Sequence, residues 1–291
     1  MQPEGLTADL PALVAELAEA LATGGRHKAL TPQRFMTEWD DPYSVFGAMP
    51  SVSREHGVFV TKVAALVEKP GKPSISAVVV VFSTTTGELL ATLDGAALTD
   101  VKCAAVTALV TDRCTPSDTG KLGVVGTGAL AWQQVRGVHA VRDLTAVTVY
   151  GRNVDKAEAF VKRARDLLGD EVEVRVAREL GEAVERQDVV CTATTSSEPL
   201  LAGFSLPAHV NCMGSHTPAS REVSLEQLSA STLVVEDRAT AVAEAGEIHR
   251  HALELEDVLA AGDALRSERT IFSSTGHAFL DLVTAAHVVT R

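Results

Sequence analysis

The sequence predicts an α/β protein with a separate α+β part ahead of it. Three observations carry that prediction. From residue 122 onward, short apolar runs alternate with helical stretches, the pattern of a parallel sheet with right-handed crossovers. The glycine pattern Gly126-x-Gly128-x-x-Ala131 stands at the first of these junctions, after an apolar run and before a helical one. Before residue 118 the pattern differs: one amphipathic helix, then β-rich runs joined by turn residues. A chain of 291 residues suits one or two domains. The turn-rich Thr115-Pro116-Ser117-Asp118 is the expected boundary.

In chain order, the first helix is expected over residues 10–21. Leu10, Leu13, Val14, Leu17 and Leu21 recur at helical spacing, Asp9 is a natural N-cap, Pro11 fits the first turn and Gly24-Gly25 ends it. Residues 57–67 and 74–82 (SISAVVVVF) read as strands, with a turn at Thr84-Thr85-Thr86-Gly87 and a returning strand over 88–93. A helix follows over 99–113, with Asp100 favourable near its positive end.

The alternating part begins with a strand at 122–125 and a helix at 129–142, then a strand at 146–150 and a helix at 154–168. Residues 172–176 read as strand, 179–186 as helix and 188–193 (DVVCTA) as strand. Residues 210–213 and 233–236 read as buried strands, and a strand at 270–273 with a helix over 276–289 closes the chain.

Composition narrows the function classes. Hydrophobic residues are 46% and charged residues 22%, ordinary globular usage that argues against disorder. A formal net charge of −12 argues against a nucleic-acid partner, because phosphate binding needs a basic face. Cys103, Cys114, Cys191 and Cys212 form no C-x-x-C pair and no His cluster has zinc spacing, so no metal is expected. No run approaches 18 apolar residues, and the acidic start MQPEGLTADL lacks signal-peptide character. A reduced, cytoplasmic protein is the expectation.

The glycine pattern is the dinucleotide fingerprint in its required strand–turn–helix context, which makes the alternating part a Rossmann domain. Gly126 makes the tight turn, Gly128 lets the pyrophosphate approach the backbone, and Ala131 lets helix and sheet pack closely. With Thr127, Ala129 and Leu130 they place helix N–H groups at the phosphates. The second strand ends at Tyr150-Gly151-Arg152-Asn153, where an NAD site usually carries Asp or Glu. Arg152 instead offers a guanidinium to a 2′-phosphate, with Asn153 and Lys156 assisting, so NADP(H) is expected over NAD(H). The competing reading of Arg152 is a solvated loop arginine. Thr192-Ala193-Thr194 and Gly214-Ser215-His216 would lie at neighbouring strand ends, where open α/β sheets bind ligands.

These pieces together resemble the ornithine cyclodeaminase/mu-crystallin family over nearly the whole chain. The markers are Pro32-x-Arg34, Met49-Pro50, the lysine in Val60-Thr61-Lys62-Val63, Thr86-Gly87 with Leu93-x-Gly95, and Leu98-Thr99-x-x-Lys102-x-Ala104-Ala105. The Gly126 fingerprint, Thr192-Ala193-Thr194-x-Ser196, Met213-Gly214-Ser215, Arg221-Glu222 and Phe272-x-Ser274-x-Gly276 follow. The resemblance implies a homodimer of two-domain subunits: a substrate-binding and dimerisation domain over 1–118 with 273–291, and a Rossmann domain over 119–272. Substrate would bind beside nicotinamide, with Met49 and Ser274 among the site residues. Lys62 matches the family's active-site lysine, and Arg34 an arginine that binds substrate carboxylate.

Two positions depart from the family pattern. Lys102 stands where Arg is usual, keeping the charge but losing the bidentate fork. His216 stands where ornithine cyclodeaminases carry an aspartate of the deamination chemistry. It is either a proton donor to nitrogen or a loop histidine. The expected function is therefore an NADP(H)-dependent oxidoreductase at a C–N centre, of imine/ketimine reductase or amino-acid dehydrogenase type, with Lys62 polarising the substrate. The alternatives are a cyclodeaminase-like ammonia lyase that recycles NAD, and a cofactor-dependent small-ligand binding protein.

Overall fold

The computed structural model describes residues 6, 8–38, 44–67, 75–214 and 217–290. The elements run in order α1 (Leu10–Ala22), α2 (Gly25–Lys28), β1 (Phe35–Glu38), β2 (Ser44–Ser53), β3 (Val58–Val67), β4 (Ile75–Ser83), β5 (Leu89–Asp94) and α3 (Gly95–Cys114). Then come β6 (Lys121–Val125), α4 (Ala129–His139), β7 (Ala146–Tyr150), α5 (Val154–Leu168), β8 (Glu173–Val176), β9 (Val189–Thr192) and β10 (His209–Cys212). The chain closes with α6 (Leu225–Ser229), β11 (Thr232–Val235), α7 (Arg238–Ala245), β12 (Leu253–Glu254), α8 (Leu255–Ala260), β13 (Thr270–Ser273) and α9 (Ala278–Val289). Two compact units divide it: Met1–Ala105 with His277–Arg291, and Val106–Gly276. The division falls inside α3, a turn or more before the Thr115–Asp118 segment.

In the first unit β1–β5 form an antiparallel sheet in sequence order. Strand alternation puts Val58, Val60, Lys62 and Ala64 on the inner face, where α9 packs, with α1 packed on α9. Their neighbours look the other way: Val63 and Val78, cross-strand partners, are 47% and 39% exposed. β1 and β2 were not expected from the sequence. Gly47 and Pro50 read locally as breakers, and pairing with β1 and β3 overrides that preference. α1 is capped as expected, with Ala12 N donating to Asp9 Oδ1 at 3.2 Å. α3 starts earlier than expected, at Gly95; its cap is Asp94, whose Oδ1 accepts from Ala97 N at 2.8 Å, and Asp100 lies inside the helix.

In the second unit all strand pairings are parallel, in the order β12-β11-β13-β10-β9-β6-β7-β8. β6 lies inside the sheet, third from its β8 edge, and the direction of strand succession reverses between β6 and β9. That reversal is the crevice where doubly wound sheets take ligands. Two cores cover the two faces. Leu122, Val124, Val189 and Cys191 pack with Trp132 and Val135 of α4 and Phe160 and Val161 of α5. Val125, Val190, Val210, Ile271 and Val235 pack with Ala183, Leu201 and Leu228. Burial on both faces accounts for the unbroken apolar runs. The helix expected over 179–186 is only a 3-10 turn, Leu180–Ala183, and α4 stops at His139 rather than 142. Among the described residues no helix is long and apolar enough to cross a membrane.

Candidate active site

In the second unit the fingerprint turn follows β6. Gly126 has φ +121°, and a Cβ there would stand 2.5 Å from the Ala193 carbonyl oxygen, so only glycine fits against the loop after β9. Gly128 is the N-cap of α4 and has no side chain to satisfy the first N–H groups of the helix. A Cβ on Gly128 would meet nothing within 4 Å, so the turn opens onto space where a pyrophosphate fits. Ala129 is exposed, Leu130 and Thr127 half-buried, and Ala131 fully buried against the sheet. The residues present thus fit a dinucleotide.

Beyond β7, Arg152, Asn153 and Lys156 are exposed. Asn153 plays a structural part, since its Oδ1 accepts from Lys156 N at 2.9 Å and caps α5.

The hydroxyls of Thr192 and Thr194 are committed to one residue that the sequence marked but did not explain. Glu222, fully buried, accepts at Oε2 from Thr192 Oγ1 at 2.7 Å and from Gly214 N at 2.9 Å. Its Oε1 accepts from Thr194 N and Thr194 Oγ1, both at 2.7 Å. One carboxylate therefore ties the loop after β9 to the loop after β10. A Cβ on Gly214 would fall 2.3 Å from that carboxyl carbon, so the glycine makes room for the tie. Glu236 does the same after β13: Ser274 Oγ and Thr275 N both donate to it, the latter at 3.0 Å. Ser215 and His216 lie outside the described residues.

In the first unit Lys62 occupies a core-facing strand position, where an ammonium needs a partner. The partner is Asp281, on a helix buried from Phe279 through His287. Lys62 Nζ donates to Asp281 Oδ2 at 2.8 Å, and Lys102 Nζ lies 2.7 Å from Asp281 Oδ1. The three side chains are 9%, 6% and 2% exposed, so solvent screens this cluster little. Burial pushes Lys62 below the usual lysine range, Asp281 opposes that, and Lys102 adds to it. Burial also pushes the Asp281 carboxyl up, but Lys102 and Lys62 outweigh it and hold it at about 2. Two ammoniums thus share this one buried carboxylate.

Met49 pairs with Lys62 across β2 and β3. Arg34, half-buried, immediately precedes β1, whose Phe35 pairs with Ala48. Lys62, Lys102 and Met49, far apart in sequence, are thus brought to one place. Asp281 was missed by the sequence reading. The signal was present: one carboxylate in the apolar run AFLDLVTAAHVV.

Comparison with known proteins agrees with this geometry. The family model for the ornithine cyclodeaminase/mu-crystallin family matches residues 6–291. A Delta(1)-pyrroline-2-carboxylate reductase of Bacillus cereus is 28% identical over 295 aligned positions, covering 95% of this chain and 90% of the relative. The ketimine reductase mu-crystallin of Rattus norvegicus is 30% identical over 286, covering 95% and 89%. Among solved structures, the Thermococcus litoralis Delta(1)-pyrroline-2-carboxylate reductase in complex with NADH and L-proline superposes with a TM-score of 0.89 at 26% identity, covering 98% of this chain and 93% of that one. With fingerprint turn, buried lysine and whole-length match in agreement, the chain belongs to the ornithine cyclodeaminase/mu-crystallin family.

Proposed function

We propose that the chain is an NADP(H)-dependent reductase of C=N bonds, reversible as an amino-acid dehydrogenase, acting on a small imine or ketimine that carries a carboxylate. The observation that carries this reading is the buried cluster of Lys62, Lys102 and Asp281, which sets two lysines on one carboxylate and lowers the pKa of Lys62. Relatives named as reductases of pyrroline-2-carboxylate and ketimines support the same chemistry.

Bound nicotinamide dinucleotide supplies hydride to the C=N carbon. The protein's own groups bind, orient and move the proton. Arg34 and Lys102 hold the carboxylate. Lys62 polarises the C=N group, and its lowered pKa eases transfer of a proton from Nζ to the substrate nitrogen. Gly126, Gly128 and the start of α4 cradle the pyrophosphate, and Glu222 holds the Thr192–Thr194 and Gly214 loops in register beside it. Arg152 and Lys156 meet the 2′-phosphate, which favours NADP(H) over NAD(H).

In this reading the working form is a homodimer, paired through the outer face of the antiparallel sheet. Phe35, Phe46, Val63 and Val78 are 64%, 38%, 47% and 39% exposed there, an apolar surface that association would cover.

The test is NADPH oxidation against cyclic imino acids and keto-acid/amine pairs, with product masses recorded. Stoichiometric NADPH consumption with a product two hydrogens heavier is expected. Ammonia release without net cofactor consumption would instead identify a lyase and overturn the reading.

A further inference from the structure

Beyond their last paired residues, Val149 and Val176, the parallel neighbours β7 and β8 run into two turns that lie side by side. Pairing continues one step further, since Ala177 N donates to Val149 O at 2.8 Å. Arg178 is therefore the first residue to leave β8, and it does so beside the turn that carries Arg152. Adjacent strands stand only about 4.8 Å apart. The β7 turn is itself seated on the fingerprint turn. Gly126 N donates to Tyr150 O at 2.9 Å, and a Cβ on Gly151 would fall 2.7 Å from Thr127 Cγ2. A pyrophosphate at Gly126 and Gly128 thus sets the adenosine ribose at this corner of the sheet.

The acids of the β8 turn are spent on other partners. Glu182 accepts at Oε2 from the Arg175 guanidinium, and at Oε1 from Arg178 N and Glu179 N at 3.1 and 3.4 Å. The Glu179 side chain accepts from the Glu182 N–H, closing a reciprocal cap on the 3-10 turn. These bonds fix the Arg178 backbone. Its guanidinium is exposed and makes no hydrogen bond or ion pair among the described residues. The side chains of Arg152 and Lys156 are exposed and uncommitted in the same way. In a chain of net charge −12, three such cations gather at two neighbouring strand ends, with Asp155 of the first turn of α5 as the further acid.

We propose that Arg178 is a specificity-determining residue for the cofactor, closing on the 2′-phosphate from the β8 side while Arg152 holds it from the β7 side. The proposal rests on the NADP(H) reading and adds to it a residue from a different strand. A phosphate offers three accepting oxygens, so two guanidiniums from separate turns can each bond it without competing. A single exposed cation is screened by solvent and salt; two converging on one dianion gain more. If the Arg178 guanidinium lay on the adenine ring instead, it would serve NADH and NADPH alike.

The experiment measures dissociation constants on the full-length protein by calorimetry. The probes are NADPH, NADH, adenosine 2′,5′-bisphosphate and adenosine 5′-monophosphate, and none of the measurements needs turnover. Arg178→Ala is expected to weaken NADPH and the bisphosphate about tenfold, the scale of one charge-assisted contact, and to leave NADH and the monophosphate unchanged. Arg178→Lys should recover part of the loss, since the charge returns without the planar fork. Arg152→Ala combined with Arg178→Ala should bring NADPH down to the affinity of NADH. The Arg178 backbone bond to Glu182 survives either replacement, so the fold should be retained by circular dichroism. Equal weakening of all four probes by Arg178→Ala would place the side chain on the adenosine and overturn the proposal. Wild type that prefers NADPH while Arg178→Ala changes nothing would remove the Arg178 assignment and leave the NADP(H) reading standing on Arg152. Wild type that holds NADPH and NADH alike would remove both.

Discussion

Arg152 and Asn153 are adjacent and exposed, but their roles differ. Asn153 spends its side chain on the N-terminus of α5, whereas the guanidinium of Arg152 extends from the β7–α5 turn. If it meets a 2′-phosphate, Arg152→Ala should weaken NADPH binding about tenfold to a hundredfold, the scale of a charge-assisted contact, and leave NADH nearly unchanged. Fluorescence titration with both cofactors checks this; equal weakening of the two removes the NADP assignment. His209 is the opposite case, a residue that serves stability. It is fully buried at the start of β10, with Nδ1 2.7 Å from Thr270 Oγ1 and Nε2 3.1 Å from Asn211 Oδ1. Burial lowers its pKa from 6.5 to about 4, against the opposing hydrogen bond with Asn211. Between those values the unfolded chain binds a proton that the folded chain refuses. Stability from this group is therefore full above pH 6.5 and is lost as pH falls, by about 1.4 kcal/mol per unit. Denaturant unfolding of wild type and His209→Gln at pH 7, 6 and 5 should show the steeper loss in wild type. Parallel curves would refute the assignment.

At the scale of elements, the loops at the carboxyl ends of β9, β10 and β13 have little regular structure, and buried carboxylates organise them. Glu222 joins the first two and Glu236 holds the third. Glu222→Gln keeps the shape but puts a donor where four donors converge, leaving at least one buried N–H or O–H unsatisfied. Gly214→Ala drives a methyl into the same carboxylate. Each substitution should raise the dissociation constant for NADPH roughly tenfold or more, with the fold retained by circular dichroism. Unchanged NADPH affinity in both would show that these loops do not bear on the cofactor. The sequence displayed Thr192, Thr194, Gly214 and Glu222 as separate short motifs. That they form one hydrogen-bonded unit depends on which strands become neighbours, and no local preference encodes that.

At the scale of the whole molecule, the antiparallel sheet has one face covered by α9 and one apolar face exposed. The pairing of Val63 with both Ala48 and Val78 puts these residues in one row of that face. If this surface is the dimer contact, Val63→Glu combined with Val78→Glu places four carboxylates in the interface. Light scattering should then fall from twice the 30.6 kDa chain mass to the single mass. Lys62, on the opposite face, should keep its environment. A wild-type monomer, or a dimer indifferent to the double substitution, would contradict this arrangement.

The sequence by itself determined the α/β class, the fingerprint turn and the family, because each rests on local pattern. Strand runs buried on both faces are continuously apolar, and Gly126 and Gly128 bracket a junction that has few other uses. Only the tertiary structure decided the pairing of β2 with β1 across Gly47 and with β3 across Pro50, the Glu222 tie and the convergence of Lys62 and Lys102 on Asp281. Those features join residues separated by up to 219 positions. A buried charge must find its counter-charge wherever packing brings one, so its partner is selected by the fold and not by its neighbours in the chain.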